Sequence, residues 1–346
     1  MDRRFGLCVV GYGLAGRVFH APLIAATPGL DLVGAVSSDP AKVIADHPDT
    51  KVFGSLDDAL EDPAVDAIVL ACPDELHAPL ASAALKAGRH VVVDKPFAPT
   101  LAEARDVASL ASQCGKLVSV FHNRRWDADF LTLRGLIDTR ALGDIVQFDA
   151  HYDRFKPQSG QRWKDRRPGG IWFDLGAHIV DQALCLFGRP QSVYADITAL
   201  KPNGEMADYA HVLLRYPQAR IILHMSQSVP AHGLRYCVHG TLGSWIKHGL
   251  DRQEDQSRAG LKPGEGDWGL DPVEGEFVST GGERRRVPNR RGDFRQFYAG
   301  LRDAYAGTGS NPVATRDALD VMAVLEAGLR SADQRCEVEP DWDHGL

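Results

Sequence analysis

The sequence predicts an α/β chain of two domains: a doubly wound parallel sheet, then an α+β domain on a large open, mainly antiparallel sheet. Three observations carry this. The apolar run Leu7–Val10 passes straight into Gly11-x-Gly13-x-x-Gly16 and then into a helical pattern with Val18, Leu23 and Ile24 on one side. Up to residue 122, short apolar runs alternate with helical stretches through short loops, the pattern of a parallel sheet covered on both faces. Beyond 122, apolar and polar residues alternate one by one with few helices between, which predicts antiparallel strands with one wet face. The domains are therefore set at residues 1–122 and 123–346. A chain of 346 residues also exceeds one ordinary core.

Each element of the first domain has its own warrant. Gly11 allows the tight strand-to-helix turn, Gly13 lets backbone amides approach a pyrophosphate, and Gly16 lets the helix pack close to the strand. The helix N-terminus adds free N–H groups and partial positive charge. Gly11, Tyr12, Gly13, Leu14, Ala15 and Gly16 are therefore assigned to a dinucleotide, and the unit reads as a Rossmann domain. The second strand, Leu30–Val36, ends in Ser37-Ser38-Asp39-Pro40. NAD sites often place an acidic residue near this strand end to hold the ribose 2′-hydroxyl. Ser37 or Ser38 there leaves room for a 2′-phosphate; Asp39 there favours NAD, and Ser38-Asp39-Pro40 also suits a plain helix start. NADP is the preferred cofactor and NAD the alternative.

A short helix is expected at Leu56–Leu60, and Ala67–Cys72 is an unbroken apolar strand. A helix over Ala78–Ala87 stops at Gly88. The strand Arg89–Val93 runs into Asp94-Lys95-Pro96, and a helix Leu101–Cys114 precedes the strand Leu117–Phe121. Ligands on such sheets bind outside the carboxyl ends of the strands. Cys72, Pro73, His77, Asp94, Lys95 and Pro96 therefore join the cofactor set.

The second domain opens with a helix at Asp129–Leu136. Alternating stretches follow at Ile145–Phe155, Ser192–Leu200, Ala210–Tyr216, Arg220–Ser226, Arg235–His239 and Ser244–His248, with an apolar helix Gly176–Phe187 between the first two. Residues 249–292 read as a polar, glycine-rich excursion with one short strand at most. Helices at Phe294–Ala306 and Arg316–Ala332 close the chain, the second docking back on the first domain.

Three residues are nominated for chemistry. Lys95 sits at a strand end beside a proline that stiffens its backbone, and an ammonium there can bind a substrate oxygen. Asp174 and His178 are four apart, so on a helical start they share a face, with Asp181 one turn on. A carboxylate beside an imidazole can orient it for general base work; a helix cap followed by a core histidine fits the spacing equally well. His122, Asn123, Tyr152, Arg162 and Trp163 are candidate substrate contacts. His77, His122, His178 and Asp174 are metal-ligand types, yet hydride transfer needs no metal, and none is assigned.

Composition narrows the classes. With 44% apolar and 25% charged residues and a net charge of −7, the chain has no global support for a nucleic-acid or anionic-membrane partner. The six cysteines have no CxxC spacing, and Cys8, Cys72 and Cys185 lie in apolar runs and read as buried hydrophobes. With no apolar signal core and no membrane-length apolar stretch, a cytoplasmic enzyme is expected. The arginine clusters Arg124-Arg125, Arg166-Arg167, Arg284–Arg286 and Arg290-Arg291 read as solvated faces or anion contacts.

These motifs resemble the glucose–fructose oxidoreductase/inositol dehydrogenase family, Gfo/Idh/MocA, over the whole chain. The resemblance rests on Gly11–Gly16, on Asp94-Lys95-Pro96 (usually Glu-Lys-Pro in the family), and on Gly170-x-x-x-Asp174-x-Gly176-x-His178. The runs His122–Phe130, Tyr236-x-x-His239-Gly240 and Gly249–Glu254 look more narrowly like its NADP-dependent scyllo-inositol dehydrogenase branch. The resemblance implies that Lys95, Asp174 and His178 are catalytic. It implies a cyclic polyol or sugar substrate and a homodimer or homotetramer formed through the C-terminal sheet. An NAD-dependent aldose dehydrogenase and a non-catalytic NADP-binding sensor are the rivals; the intact Lys95, Asp174 and His178 speak against the sensor.

Overall fold

The computed structural model describes residues 3–156, 169–231 and 233–345. The first sheet contains β1 (Phe5–Val10), β2 (Leu30–Val36), β3 (Lys51–Phe53), β4 (Ala67–Leu70), β5 (His90–Val93) and β6 (Val118–Val120), all parallel, in the order β3-β2-β1-β4-β5-β6. This is the doubly wound order with a switch point between β1 and β4, where ligands bind. β1 and β4 are buried along their whole length, which explains their unbroken apolar text. The sequence reading missed β3: three residues are too few to show a period.

The crossover helices are α1 (Ala21–Ala25), α2 (Pro40–Asp46), α3 (Leu56–Glu61), α4 (His77–Lys86) and α5 (Leu101–Gln113). The starts of α2, α3 and α5 are set by side chains that accept from the first free N–H groups. Ser55 accepts from Asp58 N at 3.2 Å, and Thr100 accepts from Glu103 N at 3.2 Å. α1 is preceded by a wide helical turn, Gly16–His20, with i→i+5 bonding.

The second sheet has eight strands: β7 (Ile145–His151), β8 (Ser192–Thr198), β9 (Tyr209–Arg215), β10 (Arg220–Ser226), β11 (Leu234–Gly240), β12 (Gly243–His248), β13 (Gly275–Ser279) and β14 (Arg284–Val287). The order is β14-β13-β12-β11-β7-β10-β9-β8, antiparallel except for β10 against β7. Residues 249–292 are therefore more ordered than their composition suggested. They add the hairpin β13–β14 to the sheet edge, together with a short helix, α8 (Gln253–Arg258). α6 (Ala128–Asp138) precedes β7. A second wide turn, Trp172–Gly176, feeds α7 (Ala177–Phe187), which stops at Gly188 with φ +70°.

The chain closes with α9 (Arg295–Tyr305) and α10 (Thr315–Gln334). Both pack on the first domain, where the sequence reading gave this to the second alone. Tyr298 of α9 meets buried His20 at 2.6 Å, and Arg302 donates to Pro28 O at 2.9 Å. α10 binds both halves: Glu326 accepts from Leu101 N at 2.6 Å, and Leu325 O accepts from the Trp172 indole at 2.8 Å.

All six cysteines are free thiols. Cys8 is buried as expected, but Cys185 is exposed: it lies on the outer side of an otherwise buried helix. Among the described residues no helix is long and apolar enough to cross a membrane.

Trp172 is fully buried and joins the second wide turn to α10. Trp172→Phe deletes that hydrogen bond and opens a cavity, so it should cost about 2–4 kcal/mol. A urea midpoint equal to wild type would overturn this.

Candidate active site

The glycine turn has the geometry its spacing implies. Gly11 has φ +96°, and a Cβ there would lie 2.6 Å from Ala71 O. A Cβ on Gly16 would lie 2.0 Å from Gly11 O, so helix and turn pack without room for a side chain. A Cβ on Gly13 would meet nothing within 4 Å: the turn presents bare backbone to open space, as a pyrophosphate requires. Leu14 and Ala15 line the crevice beside it. Tyr12 does not; its ring is buried with Ala21, Ala35 and Val43, and its hydroxyl donates to Asp46 at 3.3 Å. Only its backbone is left for a cofactor.

The other strand ends sort themselves. β2 ends at Val36, so Ser37 is the first residue past the strand, followed by exposed Ser38. The Asp39 carboxylate instead caps α2, accepting from Lys42 N at 3.2 Å, while Ser37 Oγ accepts from Asp39 N at 3.1 Å. After β4, Cys72 is half-buried, and burial pushes its thiol up to about 12, so it is no nucleophile. His77 is buried with both ring nitrogens engaged, at 2.9 Å from Pro96 O and 3.1 Å from Cys72 O. It ties the β4 and β5 loops together, with neither ring nitrogen left over for a ligand. Asp94 accepts from Lys95 N at 2.9 Å.

Lys95 crosses the crevice. Its Nζ donates to Asp174 O at 2.6 Å and to Asp174 Oδ1 at 2.9 Å. The Asp174 carboxylate thus meets Lys95, where the spacing leaves open either an Asp174–His178 pair or a plain helix cap. The four-residue spacing promised a shared face only on a regular helix, and Asp174 lies in the wide turn before α7. His178 lines the same crevice, with its Nδ1 buried and without a hydrogen bond. Burial holds its imidazole well below the ordinary 6.5; Lys95, Arg124 and His122 push the same way, and Asp174 opposes them. It is a neutral ring with a lone pair beside an ammonium. Such a pair can take a hydroxyl proton while steadying the oxygen left behind.

The opposite wall was not read from the sequence. Arg124, Arg154, Lys156 and Arg258 line the crevice with Glu254 of α8. Glu254 is 2.5 Å from Arg124 and 3.3 Å from Arg154, and Arg258 donates to it at 2.8 Å. Burial alone would raise the Glu254 carboxyl, but the three guanidiniums outweigh it and hold it at about 2. Arg124-Arg125 is thus no solvated face. Arg124 is buried, and Arg125 is locked to Asp181 at 2.7 Å and Asp317 at 3.2 Å. That pair takes Asp181 out of the site. The only local hint was Glu254 inside the run 249–254; nothing local placed it opposite Arg124.

Of the nominated substrate contacts, Asn123 and Tyr152 line the crevice. The Tyr152 ring lies 6.1 Å from that of His178, nearly parallel at 22°. His122 is 2% exposed and lies beneath the site. Arg162 and Trp163 fall outside the described residues. Among the described residues, His77, His122, His178 and Asp174 do not converge as a metal site.

The His178 geometry is directly testable. Its ring should titrate below 6.5 by histidine NMR, and Lys95→Met, which removes a neighbouring cation, should raise that value. An unchanged or lower value in the variant would contradict the charge arrangement.

Comparison with known proteins agrees with the fold. Residues 5–122 match the model of an oxidoreductase family, NAD-binding Rossmann fold, and residues 134–339 match its C-terminal alpha/beta domain. The chain is 46% identical over 340 residues to the uncharacterised oxidoreductase YdgJ of Escherichia coli K12, covering 96% of this chain and 97% of that one. It is 36% identical over 334 residues to the scyllo-inositol 2-dehydrogenase (NADP+) IolW of Bacillus subtilis 168, covering 94% and 93%. A solved oxidoreductase from Klebsiella pneumoniae superposes with a TM-score of 0.93 at 45% identity, covering 99% of this chain and 96% of that one. By both domain matches and these relatives, the chain belongs to the Gfo/Idh/MocA oxidoreductase family and is an NAD(P)-dependent dehydrogenase.

Proposed function

We propose that the protein is a cytoplasmic, NADP-dependent polyol dehydrogenase acting on one secondary hydroxyl or ketone of a cyclic polyol, with scyllo-inositol the first substrate to test. The observation that carries this is the convergence of Lys95, Asp174 and His178 on the crevice beside the Gly11–Gly16 turn. The similarity to IolW supports the polyol.

NADP would lie on the bare turn at Gly13 and supply the hydride acceptor or donor. The residues do the rest. His178, neutral, takes the hydroxyl proton; Lys95 stabilises the developing alkoxide; Asp174 holds Lys95 in place. Asn123 and ionised Glu254 offer acceptors to the remaining hydroxyls, and Arg154 offers donors. NADP is favoured over NAD because Ser37, not an acid, follows β2, while Asp39 is occupied as a helix cap.

We also propose a homodimer or homotetramer built on the open face of the second sheet. Ile222, Leu213 and Tyr194 lie in register across β10, β9 and β8 on that face, and Tyr194 is 48% exposed.

Two outcomes test the enzyme reading. Lys95→Ala and His178→Ala should each lower turnover ~10²–10⁴-fold, followed by the absorbance of reduced nicotinamide with scyllo-inositol and NADP. Near-normal turnover in either variant would sink its role, and wild-type turnover of an aldose with NAD in its place would discard the substrate and cofactor. Ser37→Asp should shift preference from NADP towards NAD, by loss of space and by charge repulsion against the 2′-phosphate; an unchanged ratio of specificity constants would remove Ser37 from that contact.

A further inference from the structure

On the face of the second sheet that turns away from the crevice, three histidines form a row across adjacent strands. His224 of β10 lies directly opposite His151 of β7 on one side and His211 of β9 on the other. Asp153, two residues past His151, rises on the same face, because side chains alternate along extended backbone. Tyr152 between them points the other way, into the crevice.

Both imidazoles face the Asp153 carboxylate, each across a different oxygen, at spacings near those of ligands around an ion. His151 Nδ1 is 3.4 Å from Asp153 Oδ2, and His224 Nε2 is 3.6 Å from Asp153 Oδ1. One atom from each of the three residues lies within 4.8 Å of the others. Tetrahedral ligands at ~2.0–2.1 Å from a zinc ion stand ~3.3–3.4 Å apart.

The supporting contacts are also in place. Asp153 Oδ1 accepts from Ser226 N at 3.0 Å, which orients the carboxylate. The far nitrogen of His224, Nδ1, is 3.2 Å from His211 Nδ1. A hydrogen bond from His224 to His211 there leaves a lone pair on Nε2, the atom that faces Asp153. This is how metal-bound imidazoles are commonly oriented.

We propose that His151, Asp153 and His224 bind one four-coordinate divalent transition ion of the zinc type, with water as fourth ligand and His211 orienting His224. Two imidazoles and one carboxylate suit such an ion and not magnesium or calcium, which take oxygen ligands. The ion lies across β7 from the crevice and takes no part in the hydride chemistry. It pins the end of β7 to β10 where the chain leaving β7 carries Tyr152 and Arg154 to the active site. The site shares the open face with Ile222, Leu213 and Tyr194, beside the proposed subunit contact, and stands independently of the substrate assignment.

The test uses the full-length, tag-free protein, stripped with chelator and titrated with zinc, then with cobalt as a spectroscopic probe. One equivalent per chain, intense four-coordinate cobalt bands and a rise in thermal midpoint with zinc are expected. Asp153→Asn and His224→Gln should each weaken zinc binding by ~100-fold or more, and His211→Ala by ~10–100-fold. His239→Gln, on the same face, should leave it unchanged. The wild-type titration decides the matter even where a variant folds poorly. Uptake well below one per chain, weak six-coordinate cobalt bands, or zinc binding that survives both Asp153→Asn and His224→Gln overturns the site.

Discussion

The bond between Lys95 and Asp174 is the contact on which the functional geometry depends. It joins the carboxyl edge of the parallel sheet to the wide turn that opens α7, so it sets the distance between the dinucleotide turn and the residues of the second domain. An ion pair with side chains only 11% and 23% exposed sacrifices much of its hydration. The lysine recovers part of this by donating to the Asp174 carbonyl as well as to its carboxylate. The turn that holds Asp174 is itself anchored: Trp172 hangs it on α10, and α10 is bonded through Glu326 to the start of α5. Lysine, turn, long helix and first domain thus form a closed mechanical loop.

The crevice also has a clear electrical logic. On one wall, burial and nearby cations keep His178 neutral. On the other, Arg124, Arg154 and Arg258 keep Glu254 ionised. The same guanidiniums would repel one another without Glu254 between them. Behind this wall a second buried arginine, Arg235, bonds Asp129 at 3.1 Å, and Gln182 and Tyr236 at 2.9 and 2.7 Å. Each nitrogen of the Arg235 guanidinium has such partners, as buried charge requires. They hold α6, α7 and β11 in fixed relation and give the crevice wall a stiff support.

Two wide helical turns, Gly16–His20 and Trp172–Gly176, flank the site from either domain. Such turns are uncommon in helices and recur at functional sites because they redirect a side chain without breaking the helix. The second one does this visibly: Asp174 turns to Lys95 instead of lying over His178.

The fold class and the cofactor turn were legible in the sequence because both are local. Buried parallel strands read as unbroken apolar runs, a wet-faced sheet reads as alternation, and Gly11, Gly13 and Gly16 each answer a clash or a space within a few residues. Lys95, Asp174 and His178 were legible as candidates through strand-end position and spacing. What each of them touches was not. Lys95 and Asp174 are 79 residues apart, and Arg124 and Glu254 are 130 apart. No period or cap encodes such pairs, since they arise only when separately folded segments pack. For the same reason β3 escaped notice and residues 249–292 read as one short strand at most where they form a hairpin: short edge strands are stabilised by the neighbour they join, not by their own text. The sequence by itself determined the two kinds of sheet, most of their strands and the bare glycine turn, because those follow from backbone sterics and hydrophobic periodicity. Tertiary structure alone decided which charges meet across the crevice, because desolvation and pairing depend on what lies within a few ångströms in space.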